Sequence, residues 1–394
     1  MVSRRYRMSN ISTLVGLKNN LDYSQKFYKR FREIYPNEEL CFVSYGSEDG
    51  THQWLDSLTD DNLKYYYSEE KKAFSDTFNK CAEIATKEYI VFCHNDIVML
   101  GGWLENIEKH LNKSTAVTYT TIEPPIFAGH DRPGKIIKDF GLEFDEVNYE
   151  DLEKFTKETQ LTYKDKLSQG SAFFIAQHRG LYLSIGGMDN LYSPMFCEDD
   201  DILYRLELLG VKTIVSLDSI VYHFVSKTSR FSEEHKNNTK IIENKSILNK
   251  ARKWGRLNFD KDSHTYDVGL IIPNCNLDLL KSLEPFVSNL YVDCDFIKFI
   301  DEEQENTKIN LSKKIKPINS VRENDIIILV KDVNKFDNND FNLIVNISSF
   351  ISNEQVRIGS TFDFQNFTFN VKTKNTYEHK LVTTKSNYYL DKCI

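Results

Sequence analysis

Short apolar runs alternate with helical periodicities along the first third of the chain. Residues 11–16 (ISTLVG) form a β-branched run closed by glycine, which predicts a buried strand. Residues 22–34 carry apolar side chains at helical spacing, and residues 39–43 and 51–58 repeat the strand and helix patterns. This alternation predicts a parallel sheet whose ligands bind beyond the carboxyl ends of the strands.

A further strand pattern ends in polar residues. Residues 89–93 (YIVFC) predict a buried strand, and His94, Asn95 and Asp96 follow it before another apolar stretch, IVML. Polar side chains between two apolar runs are either exposed at a strand end or buried at a large cost unless they are satisfied. We therefore expect either a cap or a functional group at this step.

The patterns become weaker in the middle of the chain. Residues 73–84 and 101–111 predict helices, and residues 116–121 predict a strand. Residues 123–166 lack long apolar runs, which predicts a long loop that serves as a lid or a binding surface. Residues 213–215 and 219–221 then predict two short strands that lead to His223.

Four consecutive acids, residues 198–201, open another predicted helix, and apolar residues recur at helical spacing behind them until Gly210. One or two acids complement the dipole at a helix N-terminus, and Asp201 can pair with Arg205 one turn later. Four adjacent carboxylates repel one another. The run therefore indicates that at least one carboxylate serves a metal, a proton or a sugar hydroxyl.

Composition limits the class of protein. The chain has 394 residues, 40% of them hydrophobic, which is enough for two packed domains. Its net charge of −8 argues against nucleic acid or an anionic membrane as the main partner. The seven cysteines are scattered without a C-x-x-C pair, and no apolar run has the length of a membrane span or the placing of a signal peptide. We therefore expect a soluble, cytoplasmic protein without a transmembrane segment.

Four motifs follow one another between residues 167 and 224, namely SQGSAFF, GGMDN, CEDDDILYRLELLG and VYHF. In this order and spacing they resemble the second half of the catalytic domain of family-two glycosyltransferases. The resemblance extends over residues 11–250. It implies the GT-A fold, an α/β architecture in which a Rossmann-like, mostly parallel sheet is flanked by helices.

The resemblance also implies a site for the donor, a nucleotide diphosphate sugar. The strand ends VGLKN and VSYGSEDGT stand where the family binds the nucleotide, and Ser44 and Tyr45 occupy the place of an aspartate that meets the base. Tyr45 could stack on the base instead. Lys18 is either a phosphate contact or a solvated loop lysine. Asn79 is either a ligand contact or a core residue. The implied donor-binding residues are Gly16, Lys18, Asn19, Tyr45, Asn79, Asn95 and Gly170.

His94, Asn95 and Asp96 stand where the family carries its D-x-D motif, which holds a divalent cation against the diphosphate of the donor. The resemblance therefore implies Mn²⁺ or Mg²⁺ as cofactor, with Asp96 as a ligand. Imidazole suits Mn²⁺ better than Mg²⁺, so His94 is compatible with this role. His223, at the place of the terminal histidine of the family, either completes the metal shell or is a satisfied histidine at a strand end.

For the chemistry, the resemblance assigns the catalytic base to Asp199, with Glu198 and Asp200 positioning hydroxyls. The implied reaction is inverting transfer of a sugar to a hydroxyl of a glycan or lipid-linked saccharide. Two alternatives stay open: a degenerate GT-A domain that binds a nucleotide sugar without transfer, and a scaffold or adhesion protein that works through its C-terminal part.

We predict a domain boundary at residues 258/259, after a long surface helix over residues 231–254. Residues 1–258 would be the catalytic domain, and residues 259–394 a smaller α/β domain that contacts the acceptor or a partner. In the smaller domain we expect a helix over residues 277–290 and strands at 268–272, 296–300, 325–330 and 343–347.

Overall fold

The structure is a computed structural model that describes residues 8–127, 132–225, 227, 235–259 and 264–382. It divides into two compact units, residues 1–240 and 241–394. Each unit has a hydrophobic core of its own. The predicted boundary at 258/259 therefore lies C-terminal to the division in the structure. Within the described residues, no helix is long and apolar enough to cross a membrane.

The described elements of the first unit are β1 (Ile11–Leu17), α1 (Leu21–Ile34), β2 (Leu40–Tyr45), α2 (Thr51–Ser57), β3 (Leu63–Ser68), α3 (Phe74–Ile84), β4 (Tyr89–Cys93), β5 (Ile97–Val98), α4 (Trp103–Glu108), β6 (Thr115–Glu123), β7 (Lys135–Ile137), α5 (Tyr149–Thr162), β8 (Leu167–Gln169), β9 (Ile175–His178), α6 (Arg179–Ser184), α7 (Glu198–Leu208) and β10 (Lys212–His223).

One sheet organises the first unit, with the order β3-β2-β1-β4-β9-β6-β10-β5. Strands β1 to β4 pair in parallel, as does β6 with β10, and β9 lies antiparallel between β4 and β6. Helix α1 packs on this sheet because Tyr23, Phe27 and Phe31 recur every fourth residue and are all buried. The predicted mostly parallel α/β sheet with flanking helices is confirmed, and the carboxyl ends of β1, β2 and β4 meet at one edge.

Helix α5 lies within residues 123–166, so the prediction of a long loop there is wrong. Its buried face carries Leu152, Thr156 and Thr159. The two threonine hydroxyls donate to the carbonyl oxygens of Leu152 and Phe155, at 2.8 and 2.7 Å. Because the buried side chains are mostly threonine, this helix shows little apolar periodicity.

The two strands predicted at residues 213–215 and 219–221 are one strand, β10. Its pairing with β6 shifts register between Ser216 and Ile220, where Asp218 accepts a hydrogen bond from the Ser216 hydroxyl at 2.8 Å. Residues 217–219 interrupt the pairing with β6, and the strand continues beyond this register shift. His223 is the last residue of this strand.

The second unit begins within helix α8 (Thr239–Trp254), whose Ala251 belongs to the second core. The other described elements of this unit are β11 (Val268–Ile272), α9 (Leu277–Leu283), β12 (Asn289–Val292), α10 (Ile297–Glu303), α11 (Leu311–Lys314), β13 (Ile315–Pro317), β14 (Ile326–Val330), α12 (Asn338–Val345), α13 (Ile347–Ser352), β15 (Ser360–Phe364), β16 (Phe367–Val371) and α14 (Glu378–Val382).

The sheet of the second unit has the order β13-β12-β11-β14-β16-β15, which confirms a smaller C-terminal α/β domain. Two of its predicted strands are wrong. Residues 296–300 fall in α10, where Asp295 accepts a hydrogen bond from the amide of Ile297, and residues 343–347 fall in α12 and α13. Short apolar runs fit a strand or a buried helix equally well, so local caps decide between them. The helix predicted over residues 277–290 ends earlier, because its last part is β12.

Candidate active site

A cavity of about 480 Å³ lies at the carboxyl ends of β1, β2 and β4. Gly16, Lys18, Tyr45 and His94, all identified from the sequence, line it. A side chain at Gly16 would place its Cβ 2.9 Å from the Thr77 side chain, so glycine lets the end of β1 approach α3. The structure thus places part of the predicted donor site at the sheet edge where α/β folds bind ligands.

The wall formed by the end of β2 is aromatic and basic. The ammonium of Lys18 donates to the carbonyl oxygens of Gly46 at 2.7 Å and Tyr45 at 3.2 Å, which ties the ends of β1 and β2 together. The Tyr45 ring meets the Tyr66 ring edge-on at 5.8 Å, and the Lys72 ammonium lies 5.1 Å from the centre of the Tyr45 ring. This wall offers an aromatic surface with positive charge beside it.

Sequence reasoning missed the lysine pair Lys71 and Lys72, which lines the cavity. The pair stands in the polar stretch SEEKK before α3 and looks like a solvated turn. Lys71 pairs with Glu48 at 3.2 Å and Lys72 with Glu70 at 3.1 Å. No local pattern distinguishes these lysines from other surface lysines, because only the fold brings them to the end of β2.

Four predicted donor-binding residues lie outside the described lining of the cavity, and the structure gives the side chains of three of them structural contacts. Asn19 accepts from the amide of Glu48 at 2.8 Å, and Asn79 accepts from the amide of Met188 at 2.9 Å. Asn95 donates to the hydroxyl of Ser24 in α1 at 3.0 Å. A Cβ at the fourth, Gly170, would lie 2.4 Å from the Pro133 ring, so glycine is needed there for close packing.

The three predicted metal ligands come together at the edge of the cavity. One candidate ligand atom from each of His94, Asp96 and His223 lies within 4.8 Å of the others. Asp96 Oδ1 is 3.4 Å from His223 Nε2 and 3.8 Å from His94 Nδ1. Asp96 follows β4 and His223 ends β10, and these two places are connected because the amide of Phe224 donates to the Asp96 carbonyl oxygen at 3.0 Å.

Each of these side chains presents an unsatisfied buried atom. Asp96 Oδ1, His94 Nε2 and His223 Nε2 have no hydrogen-bond partner within the part of the chain that the structure describes. The other carboxylate oxygen of Asp96 accepts from the Lys227 amide at 3.0 Å. Unpaired buried polar atoms are costly, so the unsatisfied atoms of Asp96 and His223, which lie 3.4 Å apart, fit a group that binds there. One carboxylate and two imidazoles make a donor set suited to a divalent transition-metal ion.

The charges of the cluster depend on one another. Burial alone would raise the pKa of Asp96, but His223, His94 and the Lys227 amide lower it to about 2. Burial alone would lower the pKa of His223, but Asp96 and Glu123 raise it to about 9. Burial lowers the pKa of His94 to about 4. At neutral pH, His94 is therefore neutral and available as a ligand, whereas His223 must lose a proton to bind a cation.

The predicted catalytic acids begin helix α7. Glu198 is buried, Asp199 is half-buried and Asp200 is exposed. Burial, and then the charges of the neighbouring acids, raise the pKa of Glu198 well above its usual range. Phe196 and Cys197, directly before the helix, both have left-handed backbone conformations, with φ of 77° and 68°. Such strain in residues other than glycine is typical of functional sites.

Asp201 has a structural role that the sequence predicted in part. Its carboxylate accepts from Arg205 Nε at 2.9 Å and from the hydroxyl of Tyr192 at 3.0 Å. Arg205 also donates to the carbonyl oxygens of Ile185 and Gly187. The i,i+4 pair expected from the sequence therefore anchors α7 to the turn before it, and this leaves Glu198, Asp199 and Asp200 as the candidates for chemistry.

Comparison with known proteins gives a family match and many structural neighbours. Residues 12–184 match the sequence model of Glycosyl transferase family 2. A search of curated proteins finds no match. A mannosyltransferase, PcManGT from Pyrobaculum calidifontis, was solved with GDP-Man and Mn²⁺; it is 16% identical with a TM-score of 0.41, over 62% of this chain and 63% of that one.

The second neighbour is GalNAc-T7, solved with UDP, GalNAc and Mn²⁺. It is 12% identical with a TM-score of 0.40, over 54% of this chain and 42% of that one. The chain therefore spans less than two thirds of either structure. The family match contains β1 to α6 and ends before α7 and His223. The resemblance inferred from the sequence is thus confirmed for its first part, because residues 12–184 match the model of glycosyl transferase family 2.

Proposed function

We propose that the first unit is an inverting, metal-assisted glycosyltransferase that uses a nucleotide diphosphate sugar. The observation that carries this proposal is the convergence of His94, Asp96 and His223 at the edge of the strand-end cavity. A donor of this kind needs a cavity for its nucleotide and a neutralising site for its diphosphate. The cavity and the cluster lie side by side, because His94 belongs to both.

His94, Asp96 and His223 are the residues that would hold the cation. Their two imidazoles favour Mn²⁺ over Mg²⁺, since Mg²⁺ prefers oxygen ligands. Bound there, the cation would supply Lewis-acid neutralisation of the negative charge on the departing diphosphate. Lys18, Lys71 and Lys72 add positive charge around the same cavity.

The first turn of α7 provides the groups for the acceptor. Asp199 is half-buried and would take the proton from the attacking hydroxyl of a glycan or lipid-linked saccharide. Glu198 and Asp200 would orient hydroxyl groups on either side of it. Since the turn containing Asp201 is anchored through Arg205 and Tyr192, these acids are held on a fixed helix end.

Tyr45→Ala should weaken binding of the nucleoside diphosphate by about 5- to 150-fold, because stacking on an aromatic ring contributes roughly 1–3 kcal/mol per base. Tyr65→Ala is the control, since Tyr65 is also a tyrosine of the first sheet, on the edge strand β3, but does not belong to the described lining of the cavity. Calorimetric titration with UDP and GDP measures both variants. Equal affinities for the Tyr45 variant and the wild type would remove Tyr45 from the donor site.

A panel of nucleotide diphosphate sugars tests the function itself. With Mn²⁺, the intact protein should slowly release nucleoside diphosphate from one of these donors. This release should stop when a chelator is added. Donor binding without any release, even with an acceptor mixture, would favour the degenerate GT-A domain. Absence of binding to every donor would favour the scaffold or adhesion alternative.

For the second unit we propose contact with the acceptor or with a partner, because the first unit already offers a donor cavity and a candidate metal cluster. A chain that ends at residue 240 should fold, bind the donor and hydrolyse it slowly, while transfer to the natural acceptor falls. This end point removes all but the first two residues of α8, a helix that contributes to the second core. A fragment that is folded by circular dichroism but has lost donor binding would show that the donor site needs both units.

A further inference from the structure

Glu123 contacts the His223 ring on the side away from Asp96, and no sequence motif singles this residue out. Its carboxylate oxygen Oε1 is 3.1 Å from His223 Nδ1, and both side chains are buried. Glu123 ends β6 and His223 ends β10, two strands that pair in parallel. The contact therefore joins residues one hundred positions apart in the sequence.

Glu123 is itself held from several sides. The Arg132 guanidinium donates to Oε1 at 2.6 Å, and the Thr121 hydroxyl donates to the same oxygen at 2.7 Å. The Lys135 ammonium lies 3.7 Å from the other oxygen, Oε2. Although burial alone would raise the pKa of Glu123, its neighbours lower it to about 2, His223 having the largest effect among them. A carboxylate fixed by this many donors has little freedom to rotate.

This arrangement fixes the orientation of the His223 ring. Because Nδ1 meets Glu123, Nε2 points to Asp96 Oδ1, 3.4 Å away. Histidines that bind metals commonly donate their second ring N–H to a carboxylate, which sets the tautomer and the direction of the ring. The same contact would also stabilise β6 against β10 without any metal, so a test must separate the two roles.

We propose that Glu123 is a positioning residue that holds His223 ready to bind the divalent cation, with Arg132 and Thr121 fixing Glu123 in turn. This inference rests on the proposed metal site. It predicts that the charge of Glu123 matters for cation binding and that it acts through His223. A mainly structural carboxylate would change the stability of the protein and leave the affinity for the cation unchanged.

The test measures Mn²⁺ binding to the intact protein by electron paramagnetic resonance, which reports free Mn²⁺ without any turnover. The variants are Glu123→Gln, His223→Ala and the double variant. Glu39→Gln is the matched control: Glu39 is also a buried carboxylate of the first unit, and it accepts from Ser12 at 2.6 Å and from the Thr86 amide at 2.7 Å. Thermal unfolding of each variant without metal gives the structural effect.

We expect Glu123→Gln to bind Mn²⁺ about 10- to 100-fold more weakly, the range typical for such outer carboxylates. Glu39→Gln should bind Mn²⁺ like the wild type, even if it unfolds at a lower temperature. In the His223→Ala protein, adding Glu123→Gln should change the affinity little, since the partner through which Glu123 acts is gone.

Wild-type affinity in Glu123→Gln would overturn this inference, and so would an undiminished effect of Glu123→Gln in the His223→Ala protein. If only the inference fails, His223→Ala still weakens Mn²⁺ binding. If neither the wild type nor any variant binds Mn²⁺, the proposed metal site fails as well. If Glu123→Gln does not fold, Glu123→Asp replaces it, because the shorter side chain keeps the charge but cannot reach His223. Weaker Mn²⁺ binding is again the expected result. Wild-type Mn²⁺ binding by this variant would again overturn the inference.

Discussion

Asp96→Asn should lower donor turnover by about 10³-fold or more, because several kcal/mol of charge stabilisation depend on the cation that Asp96 would hold. The substitution keeps the shape of the side chain and removes its charge. Asp96 is fully buried and receives the Lys227 amide through its other oxygen, so an amide at this position still fits the space. The same variant should lose Mn²⁺ binding in the resonance experiment.

Asp218→Asn is the control for Asp96→Asn. Asp218 is also a buried aspartate of the first unit, but it accepts from the Ser216 hydroxyl and the Asp165 amide at the register shift of β10, away from the candidate metal cluster. This control should unfold more easily and still turn over donor at a rate close to that of the wild type. Full activity of Asp96→Asn with Mn²⁺ present would show that the end of β4 has no part in catalysis.

Asp199→Asn should lower kcat by about 10²–10⁴-fold while donor affinity stays nearly unchanged, because a general base acts in the transition state and not in donor binding. The measurement is a comparison of steady-state kcat with the dissociation constant for donor from calorimetry. An equal loss of donor affinity would assign Asp199 a structural or metal-binding role instead.

Asp201→Asn, two residues further along the same helix, should lower the stability of the protein and leave kcat unchanged. It leaves Arg205 buried without its carboxylate partner, which should cost about 3–5 kcal/mol of unfolding free energy. Urea unfolding measures this loss, and the folded fraction should keep its kcat. The two variants together separate the catalytic part of the acidic run from its structural part.

Local patterns accounted for the features that depend on neighbours in the chain. Asp96 was identified because it is a polar residue between two apolar runs, and the pairing of Asp201 with Arg205 follows from helical spacing. The three candidate metal ligands were suggested by the family resemblance, and in the structure they lie together because each ends a strand or follows one, at the same edge of the sheet.

Features that depend on the tertiary fold were not accessible in the same way. Glu123 meets His223 only because β6 and β10 are neighbours in the sheet. The cavity lysines Lys71 and Lys72 look like any other residues of a polar turn. Helix α5 buries threonines whose hydroxyls bond to its own backbone, so apolar periodicity could not reveal it. The apolar pattern of residues 296–300 fits both a strand and a buried helix, and the structure forms a helix there.

The most direct test of the proposed function is a crystal structure of the protein grown with Mn²⁺ and a nucleoside diphosphate, using anomalous scattering to locate manganese. We expect one manganese ion bound to Asp96, His94 and His223 and to the diphosphate, with the base beside Tyr45. Manganese bound elsewhere in the first unit, or a nucleotide outside the cavity at the ends of β1 and β2, would contradict it.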